Sequence, residues 1–164
     1  MVRERHEIKT GARTPGVALD DASKAIIEQL QQDGRRPYAT IGRAVGLSEA
    51  AVRQRVQRLI DVGVMQIVAV TDPLQVGFPR QAMIGVRIDG PIEPVADALA
   101  AIAEVDYLVI TAGSFDLLVE VVCEDDDHLL DVVSRRIRAL PGVRETESFV
   151  YLKLRKQLYN WGTR

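Results

Sequence analysis

The segment Gly46-Leu47-Ser48 constrains the fold of this chain most strongly, because it separates two short stretches that both show helical periodicity. The stretch before it, Tyr38–Val45, is closed by Gly46, and glycine commonly ends a helix. Ser48 can cap the next helix by accepting a hydrogen bond from a free backbone N–H. The sequence therefore predicts two helices joined by a sharp turn.

A helix is predicted to run from Ser48 to about Ile60, because its apolar residues recur every three or four positions. These residues are Val52, Val56, Leu59 and Ile60. An earlier helix is predicted to begin after Leu19 and to end at Gly34, with Ala22, Ile26, Ile27 and Leu30 on its buried face. Three short helices at this spacing predict a helix-turn-helix within residues 17–65, whose last helix can lie in the major groove of DNA.

Long donor side chains lie opposite the apolar face of this last helix. Such donors can contact phosphates and base edges, and no carboxylate follows Glu49 on the predicted exposed face. We interpret Ser48 chiefly as a helix cap. For Glu49 we expect a favourable interaction with the helix dipole, in preference to accepting a hydrogen bond from a cytosine amino group. We expect DNA contacts from Ser48, Glu49, Arg53, Gln54, Arg55, Gln57 and Arg58.

The charge of the chain is divided unevenly between its two parts. Residues 1–65 contain eleven Lys/Arg against eight Asp/Glu, a net charge of +3. Residues 66–164 contain ten against fifteen, a net charge of −5, which gives the overall −2. This asymmetry is consistent with contact between the N-terminal part and phosphate.

The second half of the chain alternates strand and helix patterns in the order βαββαβ. This order predicts an α+β, ferredoxin-like domain over residues 80–164, with an antiparallel sheet and both helices on one face. The other sheet face is partly apolar, which predicts a homodimer formed through the sheet. The predicted elements are strand Gln81–Ile88, a helix from Pro91 to about Ala103, strands Tyr107–Thr111 and Leu117–Cys123, helix Asp125–Leu140 and strand Val143–Leu154. Leu129, Leu130, Val133 and Ile137 form the predicted apolar face of the last helix.

The remaining segments predict connections rather than domains. Residues 1–16 lack apolar periodicity and predict a flexible tail. Residues 66–79 predict a linking strand and loop. The extended pattern begins slightly earlier and covers Val64–Thr71, which we interpret as wing and linker. Asp72-Pro73 ends it. Cys123 lies in an apolar run and predicts a buried side chain. No segment is long and apolar enough to span a bilayer, so we expect a cytoplasmic protein with no membrane partner.

From Leu19 onward the chain resembles the Lrp/AsnC (feast/famine) regulators of prokaryotes. The resemblance implies an N-terminal winged helix-turn-helix that binds double-stranded promoter or operator DNA, and a C-terminal ferredoxin-like effector domain. It also implies a homodimer that assembles into an octamer as a tetramer of dimers. The matching stretches are Leu19-Asp20, Ile26-Ile27-Glu28-Gln29-Leu30-Gln31, Val45-Gly46-Leu47-Ser48, Val52 through Arg58-Leu59, Asp72-Pro73, Val76-Gly77-Phe78-Pro79, Gly113-Ser114-Phe115-Asp116 and Leu140-Pro141-Gly142-Val143.

The same resemblance implies a small effector, an amino acid, bound between dimers. Asp116 can accept from an ammonium group, and Thr or Ser hydroxyls can bind a carboxylate. The spacing by itself also fits an ordinary turn between two strands. The residues implied for the effector are Gly113, Ser114, Phe115, Asp116, Thr146 and Ser148. We expect no cofactor, no metal and no catalytic residues.

Besides a DNA-binding regulator, two other functions are compatible with the sequence. Proteins similar to this family decarboxylate a sirohaem-type tetrapyrrole. For such a reaction we expect His and Arg side chains in the C-terminal domain. His6 lies in the predicted tail and His128 lies beside Asp125–Asp127, positions that favour solvated roles. The third possibility is a ligand-sensing module that no longer binds DNA, and the intact recognition face argues against it.

Overall fold

The computed structural model of the chain describes residues 18–164, and the predicted tail, residues 1–16, lies outside them. The described residues form two compact units. The first unit contains residues 18–69 together with the C-terminal segment Lys156–Arg164, and the second contains Val70–Arg155. The C-terminal segment therefore differs from the predicted division, which assigned it to the second domain.

Hydrogen bonds hold this C-terminal segment within the first unit. The Gly162 N–H donates to Gln31 Oε1 at 3.0 Å, and the Thr163 hydroxyl donates to Glu28 Oε1 at 2.6 Å. Both acceptors lie on the first helix of the chain. No apolar periodicity in the sequence of this segment predicts the contact, because the contact is made by single polar side chains.

Three helices form the first unit, as the sequence predicts. Helix α1 spans Asp21–Gln32, α2 spans Tyr38–Val45 and α3 spans Glu49–Asp61. Their apolar faces meet in one small core, because each helix contributes residues at three- or four-residue spacing. The buried members are Ile26, Leu30, Ile41, Val52 and Val56, with Tyr38, Val45, Leu47, Ile60 and Met65 packed against them.

The segment Val64–Thr71, predicted to be an extended wing, is not a β-strand in the structure. A strand requires a neighbour that pairs with its backbone, and no strand pairing in the described residues involves this segment. Val68 and Val70 are 65% and 62% exposed. A short 3₁₀ turn, Pro73–Val76, follows the segment and is capped by the Asp72 side chain.

The second unit contains the predicted βαββαβ order. Its strands form one antiparallel sheet in the order β2-β3-β1-β4. The elements are β1 (Arg80–Ile88), α4 (Ile92–Ala100), β2 (Val105–Ile110), β3 (Leu117–Cys123), α5 (Asp126–Asp131) and β4 (Val143–Val150). The predicted ends of α4, β2 and β4 were too late: α4 stops at Ala100 rather than Ala103, β2 at Ile110 rather than Thr111, and β4 at Val150 rather than Leu154.

One face of the sheet is buried beneath the helices. Alternate residues of the two central strands point into this core, as the two-residue period of a strand requires. The core members are Ala82, Ile84 and Val86 of β1, Val105 of β2, Leu117, Val119, Val121 and Cys123 of β3, and Val95, Leu99, Leu129, Val132 and Ile137 from the helical side. Cys123 is fully buried as predicted, and burial raises the pKa of its thiol to about 11.

The last helix is not regular along its length, because α5 continues as a π-helical turn over Val132–Ile137. On a regular helix, residues seven apart such as Leu130 and Ile137 share one side. The wider π turn instead rotates Ile137 toward the side of Leu129. Consequently Val132 and Ile137 are fully buried, whereas Leu130, predicted on the apolar face, is 62% exposed.

No helix among the described residues has both the length and the apolar character needed to cross a membrane.

Candidate nucleic-acid interface

The turn between α2 and α3 depends on two glycines. Gly46 has a φ of 72°, a left-handed conformation that glycine adopts without strain, and its N–H donates to the Gly42 carbonyl. At Gly42, a β-carbon would lie 2.5 Å from the Leu47 carbonyl oxygen. Gly42 therefore permits the close approach that the turn needs.

Helix α3 begins at the predicted cap. The Ser48 hydroxyl accepts from the Ala51 N–H at 3.2 Å, and Glu49 occupies the first turn. Val52, Val56 and Leu59 are buried beneath the helix. The opposite side of α3 is therefore held toward solvent.

That exposed side forms an open concavity of about 550 Å³. It is lined by Ala50, Arg53, Gln54, Gln57, Arg58 and Asp61. Among the described residues, the side chains of Gln54 and Arg58 make no hydrogen bond or ion pair, so both are available to a ligand. Guanidinium and carboxamide groups beside a small alanine can contact phosphates and base edges.

Arg53 is oriented by neighbours on two sides. Its guanidinium lies 2.9 Å from Glu49 Oε1, one turn earlier on α3. It also lies 5.3 Å from the centre of the Tyr38 ring, at the start of α2. Its side chain is still 65% exposed, so Arg53 is held at the edge of the concavity and reachable from solvent.

Arg55, predicted as a DNA contact, lies outside this concavity. Its guanidinium contacts both carboxylate oxygens of Asp20, at 2.6 and 2.9 Å, and the Ser23 hydroxyl at 3.2 Å. Asp20 also caps α1 by accepting from the Ser23 N–H. Hydrogen bonds to Ser23 and then to Arg55 hold the pKa of Asp20 well below its usual range. Arg55 thus joins α3 to the start of α1.

The sequence analysis missed one member of the exposed face, Asp61. The predicted helix ended near Ile60, whereas α3 ends at Asp61. The Gln57 side chain donates to Asp61 Oδ1 at 2.8 Å. The expectation of no carboxylate beyond Glu49 is therefore wrong, and the four-residue spacing from Gln57 was the available signal.

The loop predicted to bind an effector packs onto the open face of the sheet. The Phe115 ring covers Gly85 so closely that a β-carbon at Gly85 would lie 2.7 Å from it. The guanidinium of Arg87 lies 4.9 Å from the centre of the same ring, and its Nε donates to the Ser114 carbonyl at 2.7 Å. Gly113 and Ser114 themselves are exposed.

Asp116 has a structural contact in this loop. Its Oδ2 accepts from the Ile88 N–H at 2.8 Å, and its own N–H donates to the Val86 carbonyl. The pairing of β1 with β3 ends at Val86 and Leu117, so the Ile88 N–H lies just beyond this ladder. Asp116 therefore satisfies a backbone donor that β3 no longer reaches.

Thr146 and Ser148 lie on the other face of the sheet within one chain. They pair with Val86 and Ile84 of β1, whose side chains point toward the helices. Cross-strand partners share a face, whereas Phe115 covers the opposite face at Gly85. Within one chain, therefore, the predicted effector residues of the loop and those of β4 do not lie together.

His128 belongs to a polar network on the helical side. Its Nδ1 accepts from the Glu124 N–H at 3.3 Å, and its Nε2 lies 3.1 Å from Glu104 Oε1. Arg136 contacts the other oxygen of Glu104 at 2.8 Å. Burial raises the pKa of Glu104, but the hydrogen bond with His128 and the charge of Arg136 outweigh it and lower the pKa overall.

Two family models match the chain. An AsnC-type helix-turn-helix domain matches residues 19–60, and an AsnC-type C-terminal dimeric alpha+beta barrel domain matches residues 78–164. The chain belongs to the AsnC/Lrp family. It is a transcriptional regulator of the AsnC/Lrp type with a DNA-binding helix-turn-helix.

Individual relatives match this AsnC/Lrp regulator over nearly its whole length. An uncharacterized HTH-type transcriptional regulator of Pyrococcus abyssi (strain GE5 / Orsay) is 32% identical over 164 residues, covering 99% of this chain and 97% of the relative. The leucine response regulatory protein of Mycobacterium tuberculosis is 29% identical, has a TM-score of 0.75, and covers 86% of this chain and 100% of its own. A transcriptional regulator of Neisseria meningitidis in complex with L-Met is 26% identical, has a TM-score of 0.76, and covers 87% and 95%.

Proposed function

We propose that this AsnC/Lrp regulator contacts its target DNA through Arg53, Gln54, Gln57 and Arg58 of α3. The exposed side of α3 supports this proposal. The buried Val52 and Val56 hold the helix from one side, and the four donor side chains line one concavity on the opposite side. A helix-turn-helix places its second helix in the major groove, where such donors reach base edges. Because one helix covers few base pairs, we propose that a homodimer presents two α3 helices to a roughly palindromic site.

The DNA interface is tested by the double variant Arg53→Ala/Arg58→Ala. Two lost contacts to base edges or phosphates should weaken specific binding by at least about 30-fold, while the protein stays folded. The matched control is Arg135→Ala/Arg144→Ala, which removes two exposed arginines from the second unit. Fluorescence anisotropy with duplexes selected by the wild-type protein measures both variants at one salt concentration. Equal affinities for the two double variants would refute the proposed interface.

We also propose that a small effector, an amino acid, binds near Gly113–Asp116 and the β4 hydroxyls and alters assembly or DNA binding. Support comes from the L-Met complex of the Neisseria meningitidis relative. Because Thr146 and Phe115 lie on opposite faces of one sheet, such a site must be completed by a second copy of the chain. The open face of the sheet is partly apolar, which supports association through β1 and β3.

The effector proposal is tested by thermal unfolding in the presence of each amino acid, since a ligand that binds only the folded form raises the unfolding temperature. Asp116→Asn is the informative variant, because its carboxamide oxygen can still accept from Ile88 while the charge for an ammonium group is lost. We expect this variant to keep the unliganded unfolding temperature and to lose the shift. An unchanged shift in Asp116→Asn would remove Asp116 from the effector site.

A further inference from the structure

Asp61 is an unexpected side chain on a surface that approaches DNA. It lies in the last turn of α3 and lines the same concavity as Arg58. A carboxylate there lowers the attraction of the surface for phosphate. It also opposes the helix dipole, which favours cations rather than anions at a C-terminal end, and its hydrogen bond with Gln57 four residues earlier offsets this small loss. General attraction to DNA therefore does not account for it.

The contact of Asp61 with Gln57 has a definite chemical consequence. A carboxylate only accepts hydrogen bonds, so the bond of 2.8 Å to Asp61 Oδ1 is made by the Gln57 NH₂ group and not by its carbonyl. The rotation of the amide is thereby fixed. Gln57 is left with its Oε1 acceptor and one further N–H donor.

An acceptor and a donor side by side match one base edge in the major groove. Adenine presents an N6–H donor next to an N7 acceptor, whereas guanine presents two acceptors, O6 and N7. A Gln57 amide that donates its trans N–H to Asp61 keeps the N–H beside its carbonyl, and it can then satisfy the adenine pair but not the guanine pair. The neighbouring Gln54, for which the described residues provide no such partner, has no comparable restriction.

We propose that Asp61 is a positioning residue that directs Gln57 toward adenine in the bound DNA. This inference rests on the proposed DNA interface and deepens it by naming the base class. Asp61 does not contact the base. Its carboxylate orients the amide of Gln57, which contacts the base. The same carboxylate lowers the general affinity of the surface for phosphate.

The test compares Asp61→Ala, Asp61→Asn and Gln57→Ala with the wild-type full chain. Each protein selects from a library of random duplex DNA at one salt concentration, and the bound sequences are counted. Asp61→Ala and Asp61→Asn both remove the negative charge, so both should bind random duplex more tightly to a similar extent. Only Asp61→Asn keeps an acceptor for the Gln57 amide, and this makes the two variants a matched pair.

We expect one adenine position in the wild-type motif that disappears in Gln57→Ala. At that position Asp61→Ala should lose roughly 5- to 100-fold of the preference, as expected for one bidentate contact, while Asp61→Asn retains it. Thermal unfolding should show no loss of stability in either Asp61 variant.

An Asp61→Ala protein with the wild-type preference overturns the positioning role, and so does an Asp61→Asn protein that loses the preference equally. A wild-type protein that enriches no sequence refutes the proposed DNA interface itself, and the role of Asp61 with it.

Discussion

Gly42→Ala tests whether the close approach of α2 to the following turn is required. The added β-carbon would lie 2.5 Å from the Leu47 carbonyl oxygen, where ordinary contact begins at 3.4 Å. Since the obstacle is backbone, the turn itself must move by almost 1 Å. Overpacking of this kind costs about 3 kcal/mol, and the greater helix propensity of alanine offsets about 1 kcal/mol of it.

A further loss comes from the hydrogen bond that closes the turn. The Leu47 N–H donates to the Gly42 carbonyl at 2.9 Å, and its rupture would cost about 1 kcal/mol. The expected net destabilisation of the first unit by Gly42→Ala is therefore about 2 to 3 kcal/mol. DNA affinity should fall as well, because the orientation of α3 depends on this turn.

Denaturant unfolding followed by helical circular dichroism measures this change. The control is Gly34→Ala, where a β-carbon would meet its nearest neighbour, an Ile67 methyl group, at an ordinary 3.7 Å. The control should stay within about 0.5 kcal/mol of the wild-type protein. Equal stability of Gly42→Ala and Gly34→Ala would show that the turn yields easily, and the packing argument would be wrong.

Further variants test other parts of the structure. Val132→Ala should lower the free energy of unfolding by about 2 kcal/mol, whereas Leu130→Ala should change it by less than about 0.5 kcal/mol; similar losses would contradict the burial of Val132 and the exposure of Leu130. Arg55→Ala should lower stability but leave the DNA affinity of the folded protein near wild type. A loss of DNA affinity as large as that of the proposed DNA-contact variants would show that Arg55 belongs to the interface. Because hydrogen bonds to Ser23 and Arg55 hold the pKa of Asp20 below its ordinary 3.8, they stabilise the protein fully at neutral pH, and this contribution decreases as the pH falls below 3.8 toward the lowered pKa. The stability difference between wild type and Asp20→Asn should therefore shrink in acid, and a difference that is constant from pH 7 to pH 3 would exclude the charged carboxylate as its source.

Local patterns in the sequence were sufficient for the helices and the strand order. The α2 helix has the predicted bounds, Ser48 is the cap of α3, and β3 has the predicted bounds. These features depend on residues within a few positions of each other: apolar periodicity, a capping hydroxyl, and glycine where the backbone is left-handed. The βαββαβ order also gives the sheet topology, because few arrangements connect such elements without crossing.

Long-range contacts decided which of the predicted DNA-contact side chains remain exposed. Arg53 and Arg55 both flank the buried face of α3, so the helical pattern does not distinguish them. Asp20, 35 residues before Arg55, contacts Arg55 and not Arg53. The roles of Phe115 and Asp116 also depend on β1, which lies about 30 residues earlier in the chain and supplies Gly85 and the Ile88 N–H.

The sequence by itself determined that this chain has a helix-turn-helix followed by a ferredoxin-like domain, since those patterns are local. Only the tertiary structure decided that Arg55 lies outside the candidate interface and that Thr146 and Phe115 occupy opposite faces of the sheet. The physical reason is that periodicity fixes which side of an element is buried. It does not fix which distant charge, ring or backbone group meets the exposed side, because that depends on how the elements pack.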